Sequence, residues 1–404
     1  MNHSLRKEPP CAPVLAMLLA AWGCGGSTAT KEGPSGLDGG DAGREPGSPS
    51  VLSVPLSSCL PTAYTLGATI GGTQSFQLLL DTGSTTLGVA SSACPTCGVV
   101  PAYTPGSSAV DQGTMATSQY GSGSWTGEVY QDSVTLGSAP TAPVKLVAID
   151  QQRMFFEATR CDSTSGGVQG ILGLGPGGAA VAGTNGYFDV LVATAHLPDV
   201  FATQLCDSGG TLWLGGYEAS STTAAPQYTP IVAALAQDYY AVTLRSITVN
   251  GRTVTVPSGP YTDAIVDTGT SAFLLGTTAA AALGSAIAQS PQFQQLFGGA
   301  SFFPSATATN ITCAQVTLTK DELDARLPEL ALSFAGGAVV HAKATESYLY
   351  PQAANQWCPS LVSFAPSQQF PLAAVLGAPL LRSNVVVFDR GQGRIGFAPH
   401  APCP

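Results

Sequence analysis

The tripeptide Asp-Thr-Gly occurs twice, each time at the end of an apolar run. Residues 76–84 read FQLLLDTGS and residues 262–271 read TDAIVDTGTS. A second echo follows each of them: Gly170–Gly173 reads GILG and Ala374–Gly377 reads AVLG. Two copies of one strand-and-turn plan imply two related lobes that meet at a shared site. Singly, an Asp-Thr-Gly is an ordinary turn after a strand, with glycine opening the backbone. As a pair, the two put Asp81 and Asp267 at matching strand ends. Thr82 and Thr268 would pack and hydrogen-bond beneath them. Gly83 and Gly269 would let the backbones approach, and Ser84 and Thr270 would donate to the outer carboxylate oxygens. Two carboxylates within hydrogen-bond reach cannot both ionise easily, so one keeps a proton and the pair can act as acid and base together.

The rest of the chain suits an all-β setting for this pair. Only 10% of the 404 residues are charged, and there are 47 Gly and 30 Pro. That mixture favours short strands joined by many turns over long helices. Gln77–Leu80, Val144–Ile149, Tyr239–Val249 and Val385–Phe388 read as strands. Thr277–Gln289 and Asp189–Ala195 carry the best helical patterns. The net charge of -10 excludes a basic nucleic-acid footprint.

The N-terminus reads as an export signal. Arg6 and Lys7 precede a short apolar run, Val14–Trp22, and the cleavage region ends at Cys24. Ala21-Trp22-Gly23-Cys24 is similar to a bacterial lipobox, which implies a lipid on Cys24. The expected organisation is a signal over 1–24, of lipoprotein type, and a Gly/Pro/Ser linker over 25–50. An N-terminal lobe over 51–227 and a C-terminal lobe over 228–404 follow. The chain is expected to be exported and monomeric, either held at the cell envelope only through that anchor or, if Cys24 is incidental to a plain secretory signal, extracellular.

Over roughly residues 60 to 400 the sequence resembles the pepsin-like aspartic proteases, and the expected source is bacterial. The two Asp-Thr-Gly segments match the family's catalytic loops. Gln119–Ser124, QYGSGS, followed by Thr126-Gly127, matches its flap hairpin. Gly170–Gly175, Tyr239–Gly251 and Val375–Phe397 match further family segments in order. The resemblance implies a fold of two β-rich lobes around a cleft. It implies peptide-bond hydrolysis by a water activated between Asp81 and Asp267, in acid and with a preference for apolar side chains. It also implies that Tyr120, with Gly121 and Ser122, closes over protein or peptide substrates, and that Ile171 lines an apolar subsite. Many members carry Trp where this chain has Gly88. Trp125, five residues past the flap tyrosine, is the candidate replacement. The alternative reading is an inactive binding or inhibitor protein on the same fold, which would be expected to lose one of the aspartates.

Eight cysteines lie beyond residue 50, and an even number in an exported chain points to disulfides. The resemblance implies Cys94–Cys97 and Cys313–Cys358; among the pairings open to the other four, Cys161–Cys206 with Cys59–Cys403 is the one expected. No metal or cofactor is expected, because Cys94 and Cys97 have no second close pair and no histidine cluster near them in sequence. A Ser-His-Asp scheme is disfavoured, since His196, His341 and His400 sit in no nucleophile context. Gly173–Gly178 lacks the lysine of a phosphate loop.

Overall fold

The computed structural model describes residues 51–403 apart from 61, 122, 159–166, 257–262, 305–310 and 366–371. The expected signal, Cys24, the linker, Ser122 and Cys161 lie outside the described residues.

The strand ending in Asp81, Gln74–Asp81, lies inside a 13-stranded sheet. It pairs antiparallel with Ala63–Ile70 and parallel with Gly170–Gly173. Gly71 and Gly72 both take positive φ between the first two strands, which is why a tight hairpin forms there. The strand ending in Asp267, Asp263–Asp267, lies inside an eight-stranded sheet. It pairs antiparallel with Ala241–Val249 and parallel with Ala374–Gly377. In each sheet the GILG or AVLG strand is flanked on its other side by the strand that follows the motif: Leu87–Ala90 in one, Phe273–Gly276 in the other. The repeat read in the sequence is therefore a repeat of topology.

These central strands are apolar on both faces, as buried strands must be. Leu78, Leu79 and Leu80 are buried, and so are Ala264, Ile265 and Val266. The larger sheet also gathers the two ends of the described chain. Leu52–Leu60 pairs with Gly209–Leu214, and Asn384–Asp389 pairs with Val200–Cys206. Phe201 stacks on Phe388 with centroids 4.5 Å apart, and Tyr240 packs against both. The Tyr240 hydroxyl donates to the Leu174 carbonyl at 2.8 Å. One continuous core thus joins the two halves. The molecule is mostly β and has the bilobal architecture of the pepsin-like fold.

The four expected strands are present; three are longer than read, as in Ala142–Arg153 and Asn384–Asp389, and the fourth is the shorter Ala241–Val249. The expected helices are Tyr187–Ala195 and Thr277–Ile287. Four further α-helices among the described residues, Phe155–Ala158, Pro291–Phe297, Lys320–Arg326 and Ala378–Leu381, were not expected.

The cysteines require a correction. Cys94–Cys97 and Cys313–Cys358 are bonded, as the resemblance implied. Cys206 is bonded to Cys403. That rules out both Cys161–Cys206 and Cys59–Cys403. Cys206 ends a strand in the larger sheet and the C-terminal tail returns beside it, with Gln204 donating to the Ala401 carbonyl at 3.3 Å. This proximity across 197 residues is set by sheet topology, not by cysteine spacing.

Candidate active site

Asp81 and Asp267 end equivalent strands, and each carboxyl lies against the glycine of the other's loop. Each is 2% exposed. The threonines beneath them lock the two loops symmetrically. The Thr82 backbone N–H donates to Thr268 Oγ1 at 3.1 Å, and the Thr268 N–H donates to Thr82 Oγ1 at 3.0 Å. Each hydroxyl then donates across the join: Thr82 to the Val266 carbonyl at 2.9 Å, Thr268 to the Leu80 carbonyl at 3.0 Å. A threonine hydroxyl both accepts and donates, so two of them satisfy four backbone groups without charge.

The glycines are small for a steric reason. A Cβ on Gly83 would sit 2.6 Å from the Asp267 carboxyl carbon, and one on Gly269 would sit 2.4 Å from Asp81 Oδ1. Their N–H groups donate to Oδ1 of Asp81 and Asp267 at 2.9 and 2.8 Å respectively. The outer oxygens accept from Ser84, in a short bond to Asp81, and from Thr270, at 2.5 Å to Asp267. The GILG and AVLG strands pass directly behind. Leu174 N donates to the Asp81 carbonyl at 2.7 Å, and Ala378 N to the Thr270 carbonyl at 2.8 Å.

Burial raises both carboxyls above the usual range. Asp267 goes furthest, because the neighbouring Asp81 charge adds to its desolvation. Asp81 is held back by the bonds it accepts from Ser84, Asp267 and the Gly83 and Ser84 backbone. The pair therefore retains one proton where isolated carboxylates would have lost theirs.

The expected flap is a hairpin of Val110–Gln119 and Ser124–Leu136, with Tyr120 at its turn. The Tyr120 N–H donates to the Gly123 carbonyl at 2.7 Å. Tyr120 is buried against Trp125 and Phe155, with ring centroids 6.2 and 5.3 Å away. Trp125 also takes up the space beside Gly88: a Cβ on that glycine would lie 3.4 Å from the indole. The structure thus brings Trp125 to the place where the sequence lacks a side chain. Ile171 is fully buried in the same cluster and offers no free surface to a substrate in this state. Phe155, Phe156 and Ser118 were missed in the sequence. Ser118 could have been found, because it lies two residues before Tyr120 and strand alternation puts both on one face.

A family model described as "Eukaryotic aspartyl protease" matches residues 63–400. The chain belongs to the pepsin-like aspartic protease family. Among its relatives, an aspartic protease from Phaffia rhodozyma is 29% identical over 339 residues, 82% of this chain and 74% of that protein. Pepsin A from Sus scrofa is 29% identical over 366 residues, covering 86% of this chain and 84% of the pepsin. Cathepsin E from Oryctolagus cuniculus is 28% identical, covering 86% and 83%. This pepsin-like chain is accordingly an aspartic-type endopeptidase acting on proteins or peptides. These relatives are eukaryotic and lend no support to the bacterial source expected from the Cys24 motif.

Proposed function

We infer that Asp81 and Asp267 are the catalytic pair, and that the enzyme cleaves internal peptide bonds in acid. The observation that carries this reading is the buried carboxyl pair at two equivalent strand ends, brought together by the reciprocal threonine bonds beneath it. The shared proton rests on Asp267, whose carboxyl is raised the further of the two by burial and by the neighbouring Asp81 charge. A water between them gives a proton to Asp81 as its oxygen attacks the peptide carbonyl carbon. Asp267 passes its proton to the carbonyl oxygen. In the collapse of the resulting diol one hydroxyl returns its proton to Asp267 as its C=O forms, the C–N bond breaks, and the amine leaves with the proton from Asp81, which restores both carboxyls to their starting states. No covalent intermediate forms. Thr82, Gly83, Ser84, Thr268, Gly269 and Thr270 hold the two carboxyls in register.

Tyr120 and Gly121, with Ser122 beside them in sequence, close over the substrate and exclude bulk water. The preference for apolar side chains near the scissile bond is carried over from the family resemblance. The lobes divide near residue 227. The chain is exported as a monomer, by a signal over 1–24 with a lipid on Cys24 and a tether over 25–50. Three disulfides among the described residues support an oxidising compartment. No helix of the described residues is long and apolar enough to cross a membrane.

Digestion of a denatured protein, with and without a statine-type transition-state analogue, tests the reading. Cleavage should be blocked by the analogue and abolished in a folded Asp81→Asn variant. Wild-type turnover in that variant would overturn the assignment.

A further inference from the structure

The strand Ala142–Arg153 pairs with the flap strand Ser124–Leu136 and ends in an abrupt reversal. Met154 takes φ 59 there, in the left-handed region that a non-glycine residue seldom enters. The reversal is the seat of the flap. Gly123, at the flap turn, lies so close to it that a Cβ would fall 2.6 Å from the Arg153 carbonyl oxygen and 2.7 Å from the Phe155 nitrogen. The Phe155 ring packs on Tyr120 at 5.3 Å and on Phe156 at 5.0 Å between centroids. Backbone and side chain of the flap therefore both rest on residues 153–155.

Gln152 fixes that seat. Its Oε1 accepts from the Phe155 N–H at 2.9 Å, which closes the turn over Met154 and satisfies a donor at the start of the helix Phe155–Ala158. Its Nε2 donates to the Thr96 carbonyl at 2.8 Å. Thr96 lies inside the loop that the Cys94–Cys97 disulfide closes. The segment leading into that loop is anchored to the same strand, where the Ser91 N–H donates to the Ile149 carbonyl at 2.9 Å. Cys97 is buried in the cluster that holds Tyr120 and Phe155. The two partners of Gln152 demand opposite roles. An amide supplies both, whereas a carboxylate has no proton for the carbonyl and a cationic side chain has no acceptor for the N–H.

We propose that Gln152 is a positioning residue for peptide cleavage: it bolts the seat of the flap to the Cys94–Cys97 loop, so that Tyr120 descends on the substrate from a fixed place. This gives the small disulfide loop a task beyond stability. A bridge between residues three apart removes less entropy from the unfolded chain than a long one does. What it does instead is hold the Thr96 carbonyl still, and through Gln152 the turn on which the flap rests.

The proposal rests on the reading of Asp81 and Asp267 as the catalytic pair, with Tyr120 closing over the substrate. Its test uses the purified enzyme and an uncharged apolar peptide across pH. Gln152→Leu is close in volume and has no polar atoms. It should lower kcat roughly 3- to 20-fold at every pH where the wild type is active, with an unchanged circular dichroism spectrum. Gln152→Glu keeps the acceptor for Phe155 and, while ionised, loses the donor to Thr96. Below the ordinary glutamate value of about 4.3, the protonated carboxyl can donate to Thr96 and stand in for the amide. The ionisable neighbours are Asp150 and Arg153 on the same strand and Glu128 on the adjacent one. The disulfide loop adds none beyond its bonded cysteines. Strand alternation puts Asp150 on the face of Gln152, so its charge moves the protonation step upward. The kcat of Gln152→Glu relative to wild type should therefore climb roughly threefold or more as pH falls from about 6 to about 3.5, while that of Gln152→Leu stays flat. A flat ratio in both variants would overturn the proposal, and so would wild-type kcat in both. Those outcomes leave the endopeptidase reading intact, whereas an inactive wild-type enzyme overturns both.

Discussion

Placing Asp81 and Asp267 side by side out of water affects stability as well as chemistry. Both carboxyls are raised above the ordinary carboxylate value of 3.8, first by desolvation. Between that value and the raised one, the folded state binds more protons than the unfolded chain. Stability therefore falls as pH rises through this window and is regained below it. An Asp267→Asn variant has no such titration. Its amide oxygen can still accept from Gly269, and its NH2 can donate to the Thr270 hydroxyl. The variant should be inactive, and at pH 7 it should melt at a higher temperature than the wild type. That gain should shrink below about pH 4, where the wild-type pair is protonated in both states. Calorimetry at the two pH values checks this, and a lower melting temperature at pH 7 would contradict it. The same titration governs rate. Since one proton must stay on the pair, kcat/KM on an uncharged peptide should follow a bell with its maximum in acid. A profile climbing steadily from about pH 5 to about pH 8 would rule out a shared-proton pair. At this scale the sequence was legible in part. The donor roles of Ser84 and Thr270 and the close approach at Gly83 and Gly269 were read from it, whereas the reciprocal bonds of Thr82 and Thr268 needed the two loops in place.

Strands and helices were legible in unequal measure. GILG and AVLG declare themselves as buried strands, and their final glycines have a steric cause. A Cβ on Gly173 would lie 2.4 Å from the Thr85 carbonyl carbon, and one on Gly377 would lie 2.1 Å from the Ala272 carbonyl oxygen. Gly377→Ala must therefore push back the loop that carries Thr270. It should destabilise the fold by about 3 kcal/mol or more and lower kcat, because the Thr270–Asp267 bond moves with the loop. Urea denaturation with a parallel activity assay would decide, and a variant of wild-type stability would refute the close-approach argument. The helix Lys320–Arg326 was missed although its start is written in the chain. Thr319 accepts from the Glu322 N–H at 3.3 Å, and Glu322 Oε2 accepts from the Thr319 N–H at 2.9 Å. That capping box was visible as Thr-x-x-Glu. The helix itself is only seven residues long and buries mainly Leu323, too little for a periodic apolar signal. Thr319→Ala should cost about 1 kcal/mol without affecting turnover.

At the scale of the whole molecule, the sequence concealed how the chain is closed. Eight cysteines permit many pairings, and only sheet order decides that Cys206 meets Cys403. The neighbouring hairpin tip is a junction for distant segments. Asp207 pairs with Lys320 at 2.8 Å and with Arg382 at 3.1 Å. Burial would raise the Asp207 carboxyl, but Arg382 and Lys320 together pull it below its ordinary value. Arg382 is nearly buried and also donates to the Thr345 carbonyl at 3.1 Å, so its guanidinium has little freedom to follow a displaced partner. The disulfide therefore fastens a place that is already held by ion pairs and by the pairing of Asn384–Asp389 with Val200–Cys206. Its main effect falls on the unfolded chain. A bridge spanning 197 residues removes loop entropy worth about 5 kcal/mol in the chain-entropy model. Replacing both cysteines by serine should lower the melting temperature by several degrees or more. Initial peptidase rates well below the transition should stay near wild type, since the carboxyl pair is positioned by the threonine bonds and not by the tail. Because Asp207 keeps its charge to lower pH than an isolated aspartate, the ion pairs persist in mild acid and the loss should look similar there and at neutrality. Differential scanning of the double variant beside the wild type would measure it. An unchanged melting temperature would mean that the C-terminal tail is held in the unfolded ensemble by something other than this bond.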